Sequence, residues 1–331
     1  MVNTLAGKRV LVTGAGGFIG SHLVEALVAA GATVRALVQY NSRNDWGHLD
    51  SLPKPVRAEL EVWTGNIRDP FFVDRLCQGT GVVLHLAALI PIPYSYVAPA
   101  EFVETNVKGT LNVLEAVRRH GIPRMVHTST SETYGTALYK PIDEKHPLQG
   151  QSPYSASKIG ADKMAESYWR SFRTPVVTLR PFNTFGPRQS ARAFLPTVIS
   201  QMLVGDTVRV GALDPIRDMN FVTDTVDGFL RAAVASGVEG LTLNVGSGRG
   251  VSMKELVELA MAAAGKSPRL ETDQDRIRPE QSEVMELVCD ASLARKAMGW
   301  ESRVSLEEGV RRTVTWMRDN LGQYKPHLYN L

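Results

Sequence analysis

Thr130, Ser131 and Glu132, followed by Tyr154 and Lys158, are the residues of this chain whose types and spacing are suited to chemistry. A lysine four residues after a tyrosine shares its helix face, so an ammonium can sit beside a phenol. Free tyrosine keeps its proton to about pH 10, and a neighbouring positive charge favours the phenolate. Tyr154 is therefore a candidate base, Lys158 its charged neighbour, and Thr130 a hydroxyl able to share a hydrogen bond with the same substrate oxygen. Glu132 adds a carboxylate within the same short stretch. A tyrosine and a lysine at this spacing recur by chance, so the pair acquires meaning only from its surroundings.

Those surroundings begin at Arg9–Thr13, a short apolar and β-branched run that reads as a buried parallel strand. Gly14, Gly17 and Gly20 follow, with Phe18 and Ile19 opening a helix that Gly31 stops. Strand, glycine turn and helix in that order predict a dinucleotide cradle, with the pyrophosphate at the helix N-terminus. A second strand, 33–38, leads to Gln39, Asn41, Ser42 and Arg43, with no carboxylate before Asp45. An acid there would hold a ribose hydroxyl and an arginine would accommodate a 2′-phosphate. The missing acid leans toward NADP, through Ser42 and Arg43, and the choice between NAD and NADP stays open. Asn66 and Ile67 sit in a turn after a third strand, Asn66 reading either as an adenine contact or as a turn former. Residues 81–88 are expected to form a fourth strand whose Leu86, Ala87 and Ala88 let a cofactor approach the backbone. His85 within it reads as a core histidine. Asn106, on a predicted helix over 101–119, either orients the site or caps a kink, and it joins the cofactor-binding set. Strand five covers 124–129, so the reactive stretch begins at a strand's carboxyl end, where open α/β sheets bind ligands.

The fold expected is α/β: a Rossmann-type doubly wound parallel sheet with a smaller C-terminal substrate-binding lobe. The first unit takes residues 1–180 and 218–247, and the lobe takes 181–217 and 248–331. A helix over 153–172 carries Tyr154 and Lys158, strand six spans 176–180, a helix covers 195–203, and 217–222 with a helix over 225–235 is read as returning to the main unit. Ser252 with Glu255 and Ser305 with Glu308 read as capping boxes.

Composition narrows the partners. With 37 basic against 34 acidic side chains in 331 residues, the net charge is +3. No basic run marks a nucleic-acid or membrane surface. Cys77 and Cys289 are the only cysteines, which makes neither a disulfide framework nor a cysteine-built metal site, so no metal is assigned. The short polar start, and the lack of any apolar run near the ~18 residues a bilayer requires, lead us to expect a soluble cytoplasmic protein.

Taken together these motifs resemble the extended short-chain dehydrogenases/reductases of the nucleotide-sugar epimerase and dehydratase group. Thr130-Ser131-Glu132 resembles the GDP-mannose 4,6-dehydratases, where the dTDP-glucose enzymes carry Thr-Asp-Glu. Arg278–Val284, Cys289-Asp290 and Gly299-Trp300 resemble the dehydratases' C-terminal lobe, and Tyr40–Gly47 is similar to the legionaminic-acid-pathway dehydratases acting on N-acetylglucosamine nucleotides. The resemblance implies tightly bound NAD(P) and a nucleotide-sugar substrate, UDP- or GDP-N-acetylglucosamine or GDP-mannose. It also implies a homodimer through the helices holding 101–119 and 153–172. Tyr154, Thr130 and Lys158 would serve oxidation at C4. Glu132 would remove the C5 proton and help the C6 hydroxyl leave, alone or with Ser131. Arg217 and Arg278 would contact the diphosphate, and Asn183 and Arg188 would line the sugar phosphate. The rival readings are a nucleotide-sugar 4-epimerase, which has no use for Glu132, and a non-catalytic dinucleotide-binding sensor.

Overall fold

The computed structural model describes residues 2–328. Its main sheet has seven parallel strands: β1 (Arg9–Thr13), β2 (Thr33–Gln39), β3 (Leu60–Gly65), β4 (Val82–His85), β5 (Met125–Thr128), β6 (Val176–Pro181) and β10 (Thr242–Val245), in the order β10-β6-β5-β4-β1-β2-β3. The chain builds outward from β1 in one direction, then returns to build β4, β5 and β6 on its other side. The reversal opens a crevice at the carboxyl ends of β1 and β4, where ligands of such sheets bind.

Successive strand residues face opposite sides, and both sides are covered. Val10, Val12, Leu84 and Val126 pack with Leu23 and Leu27 of the helix Phe18–Ala29 and with Phe229 of the helix Val222–Val234. Leu11, Val83, Met125 and Val176 pack on the other face with Leu76, Val113, Val117 and Ala165. The glycine turn fits only as glycine. Gly14 has φ +72°, and a Cβ there would meet the Ala87 nitrogen at 2.9 Å; a Cβ on Gly20 would lie 2.2 Å from the Gly14 carbonyl.

The second lobe is built on β7 (Asn183–Phe185), β9 (Ile216–Phe221), β11 (Gly250–Ser252) and β13 (Glu286–Leu287), beside a two-stranded pair, β8 (Thr207–Val210) and β12 (Arg269–Thr272). Here the structure corrects the expectation that 217–222 rejoins the main unit. β9 pairs with β7, β11 and β13, and the chain returns only at the helix Val222–Val234. The lobes are not separate cores, because Phe185, Val251, Leu256 and Val310 belong to the same apolar cluster as Val10 and Leu27. Trp300, wholly buried, joins them by donating Nε1–H to the Asp224 carbonyl at 2.8 Å.

Two further differences are local. Strand four stops at His85: the Leu86 N–H still reaches the Thr13 carbonyl at 3.2 Å, but it is shared with Thr13 Oγ1, which also accepts from Ala87 N, at 3.1 Å each. The helix expected over 101–119 is α-helical at Pro99–Phe102 and Gly109–Arg119, with a π-helical turn, Val103–Lys108, between them. Such turns often mark functional positions, and this one holds Asn106. Of the two expected capping boxes, each supplies its serine bond, Ser252 to Glu255 N and Ser305 to Glu308 N. Among the described residues no helix is long and apolar enough to cross a membrane.

Replacing Gly20 with alanine presses a methyl group onto backbone that cannot rotate away. We expect a loss of about 2 kcal/mol, read as a lower urea midpoint at unchanged slope. Stability equal to the parent protein's would mean that the first helix is free to move off β1.

Candidate functional site

The candidate residues meet because β5 runs into a short 3-10 turn that packs against the helix Pro153–Phe172. Thr130 N-caps the short 3-10 helix Ser131–Tyr134, its Oγ1 accepting from Glu132 N at 3.3 Å. Ser131 is buried and Glu132 half-buried. The helix Pro153–Phe172 starts with proline at its first position and a reciprocal Ser152/Ser155 capping box. That box fixes Tyr154 in the first helical turn and Lys158 one turn on, both almost wholly buried. Lys158 Nζ donates to the Thr128 carbonyl at 2.6 Å, clamping the helix to the carboxyl end of β5. The Thr130 side chain faces the Tyr154 phenol and eases its ionisation.

The electrostatics differ from the simple expectation. Burial raises the Tyr154 phenol well above its ordinary value, opposed by the neighbouring Thr130 hydroxyl and reinforced by the negative charges of Glu132 and Asp162. Glu132 is therefore near enough for the phenol to feel its carboxylate. Burial lowers Lys158 to about 8, against the pull of Asp162. The chain alone thus holds a neutral phenol beside an easily discharged ammonium, and a positively charged nicotinamide adds the further charge that favours phenolate.

The cofactor residues form a cradle of the right shape. The helix Phe18–Ala29 begins at Gly17 with no side chain capping it, which leaves its first N–H groups suited to an anion. Gly14, Ile19, Ala87 and Ala88 line the approach, partly exposed. Asn41 folds the loop after β2, accepting from Arg43 N and Asp45 N at 3.1 Å each, which leaves Gln39, Ser42 and Arg43 exposed around it. Asp45 is occupied by Gly47 N at 2.6 Å, and Asp50 by Trp46 N at 2.8 Å. Three of the expected cofactor residues make contacts within the protein. Asn66 Oδ1 accepts from Arg68 N at 2.9 Å, the turn-forming alternative. Ile67 is buried, close against Gly109. Asn106 receives Leu89 N at 2.8 Å and donates to the Leu89 carbonyl and to Ser157 Oγ at 2.9 Å each. Its amide is fully engaged, so it ties the loop after β4 to the catalytic-face helix rather than offering groups to a ligand.

At the other end, Arg217 from β9 and Arg278 converge on one carboxylate, Glu283, at 3.0 and 3.4 Å. Glu283 was missed by the sequence reading, although it lies inside the Arg278–Val284 stretch. Next to it Ser282 Oγ donates to the Gln151 carbonyl at 2.7 Å and meets the Tyr96 hydroxyl at 2.6 Å, so residues of both lobes close over the cleft. Asn183 is half-buried, and its Oδ1 is a buried acceptor without a partner, as a ligand-facing amide would be. Arg188 departs from expectation: its guanidinium pairs with Glu25 at 2.6 Å and reaches Ser21, tying the loop to the helix Phe18–Ala29. The ion pair places it against the first helix of the main unit rather than among sugar contacts.

Burying a charged lysine has a stability consequence with a definite sign. Its folded value of about 8 lies below the ordinary 10.5, so the penalty is full below about pH 8 and disappears by 10.5. Replacing Lys158 with methionine removes a penalty of about 3 kcal/mol and loses about 1 kcal/mol of hydrogen bonding to Thr128. We expect a net gain of about 2 kcal/mol near pH 7 that fades as pH rises, measured by denaturation at several pH values. A gain independent of pH would show that packing, not charge, sets it.

Three comparisons bear on this geometry. The sequence model of the GDP-mannose 4,6 dehydratase family matches residues 11–313. The chain is 33% identical over 319 residues to a dTDP-glucose 4,6-dehydratase of an Actinoplanes species, covering 94% of this chain and 98% of that one. It is also 33% identical over 319 residues to a UDP-glucose 4-epimerase of Mycolicibacterium smegmatis, covering 94% and 99%. Among solved structures it superposes on DesIV, a dTDP-glucose 4,6-dehydratase from Streptomyces venezuelae with NAD and TYD bound, with a TM-score of 0.84 and 29% identity over 96% of this chain and 99% of that one. A Rossmann crevice fitted for a nicotinamide dinucleotide, a Thr-Tyr-Lys site at its mouth and a profile spanning both lobes agree: the chain belongs to the GDP-mannose 4,6 dehydratase family of nucleotide-sugar enzymes.

Proposed function

We propose that the protein is a nucleotide-sugar 4,6-dehydratase that converts a nucleoside-diphosphate hexose to its 4-keto-6-deoxy form. The observation that carries this reading is Glu132, a half-buried carboxylate whose charge the Tyr154 phenol senses. Inversion at C4 needs one base and a hydride acceptor, whereas loss of water also requires a group to remove the C5 proton and assist departure of the C6 hydroxyl. A bound nicotinamide dinucleotide supplies the hydride acceptor at C4 and the hydride donor at C6, and is regenerated within the turnover. Tyr154 Oη takes the proton of the 4-hydroxyl, and Thr130 Oγ1 holds that oxygen. Lys158 supplies positive charge beside the phenol. Once C4 is a carbonyl, the C5 proton is acidified and the Glu132 carboxylate removes it. The same group, or Ser131, serves the leaving hydroxyl.

The resemblance of Tyr40–Gly47 supports an N-acetylglucosamine nucleotide, carried on UDP or GDP, and Thr130-Ser131-Glu132 supports GDP-mannose as the other candidate. Arg217 and Arg278 suit the diphosphate, because paired guanidinium groups recognise such oxygens by bidentate bonds; Asn183 suits the sugar end through its unpaired Oδ1. The second reading is a 4-epimerase, favoured by relatives that bear that name. A homodimer belongs to the proposal as well, supported by Val103 and Phe172, which lie exposed on the two helical stretches expected at the interface.

Replacing Glu132 with glutamine should leave cofactor binding and C4 oxidation in place and slow dehydration by roughly 10²–10⁴-fold. Mass spectrometry of products from UDP-, GDP- and dTDP-hexoses reads this directly. A native product lighter by one water supports the proposal, and a native product of unchanged mass with inverted C4 would replace it with epimerisation.

A further inference from the structure

Tyr154, Lys158 and Asp162 follow one another at four-residue intervals down the buried face of the helix Pro153–Phe172, and all three are at most 7% exposed. The first two belong to the proposed chemistry; Asp162 has no part in it so far. Its carboxylate is held on every side. Oδ2 accepts from Ser129 Oγ at 2.6 Å and from Arg180 Nη2 at 2.7 Å, and Oδ1 meets His127 Nε2 at 3.0 Å. Arg180 donates its Nε–H to the same Ser129 at 3.1 Å and lies over the Tyr134 ring, 4.6 Å from its centre. The cluster thus joins the helix to β5 and β6 immediately beneath the reactive residues.

We propose that Asp162 is a positioning residue of this site: from one helical turn below Lys158 it supplies the buried negative charge that balances that ammonium, while Ser129, His127 and Arg180 fix where the charge sits. The inference rests on the proposed role of Tyr154 and Lys158. The groups facing Asp162 leave it alone in this task. Burial keeps His127, and His85 stacked on it, neutral despite the carboxylate. Burial also works against the Asp162 charge, and Arg180 and His127 more than offset it, so the carboxyl stays ionised. Lys158 and Arg180 are then two buried cations with Asp162 as the anion between them. Glu132 lies in the 3-10 turn Ser131–Tyr134 and makes none of the bonds that hold the Asp162 carboxylate.

A purely structural role, in which Asp162 only anchors Arg180, makes different predictions. Charges one helical turn apart, roughly 6 Å, at an effective dielectric of about 20–40 are coupled by on the order of one pH unit or more, and charges two turns apart by about half as much. Removing the anion makes the Lys158 ammonium easier to discharge and the Tyr154 phenol easier to ionise, so both titrations move to lower pH.

The test uses cofactor-loaded protein and three variants. Asp162→Asn removes the charge and keeps the shape. Asp162→Asn with Arg180→Met removes both members of the ion pair, and carries the test if the single variant does not fold. Ser129→Ala deletes one bond to the carboxylate but leaves its charge. Two readouts are followed against pH: the ultraviolet tyrosinate titration, differenced against Tyr154→Phe, and single-turnover reduction of the cofactor by a nucleotide sugar. In both charge-removing variants we expect the alkaline limb of cofactor reduction to fall by roughly one pH unit and the Tyr154 titration by about half a unit. In Ser129→Ala neither should move. Recovery of the native pH dependence in the double variant, or an equal displacement in Ser129→Ala, overturns the proposal and leaves a structural ion pair. If the tyrosinate titration moves as expected while no nucleotide sugar reduces the cofactor in the native protein, the functional reading fails and the charge-balancing role stands.

Discussion

One ammonium kept out of water is the constraint on which the site depends. Lys158 is almost wholly buried, and burial lowers its hold on the proton to about 8. A charge in that position persists only with partners: the Thr128 carbonyl at the end of β5 and the Asp162 carboxylate a turn below. Each partner constrains the fold. The first presses the helix Pro153–Phe172 onto β5; the second brings in Ser129, His127 and Arg180 and so fastens the same helix to β5 and β6. The reactive tyrosine is placed by bonds that serve the lysine.

The architecture supplies the rest without a separate device. Strand order reverses between β1 and β4, and that crevice receives the glycine turn, the small residues after β4 and the Thr130 turn from β5. The second lobe shares an apolar cluster with the first, so Arg217 on β9 faces the cleft from a rigid base. The 278–283 loop reaches back to Gln151 and Tyr96. Arg217 and Arg278 share the single carboxylate of Glu283, which offsets one of their two positive charges and leaves a net positive charge on this edge of the second lobe.

Local patterns were legible to the extent that their causes were local. The strand Arg9–Thr13, the glycine turn and the helix Pro153–Phe172 stand at the boundaries the residues predict, since periodicity, proline and glycine act over a few positions. Errors arose where the deciding partner was remote. Residues 86–88 are as apolar as the strand before them, yet the Thr13 hydroxyl, more than 70 positions away, takes the Ala87 amide and shares that of Leu86. The 217–222 run is expected to return to the main unit, and nothing in its composition says that it instead forms β9 of the second sheet. The resemblance puts Arg188 in the loop lining the sugar phosphate, and nothing in its local sequence announces the ion pair it makes with Glu25, more than 160 positions away.

By itself the sequence determined the kinds of atoms available and their order: a phosphate cradle followed by a hydroxyl, a carboxylate, a phenol and an ammonium. These follow from side-chain chemistry and from the repeat lengths of helix and strand. Only the tertiary structure decided which of those atoms share a cavity and which are already engaged. It turned Asn106 into a tie between the loop after β4 and the helix Pro153–Phe172, set Glu283 between two arginines and buried Asp162 beneath Lys158. The physical reason is that hydrogen bonding and charge balance in a dry interior are settled among neighbours in space, and spacing along the chain does not record them.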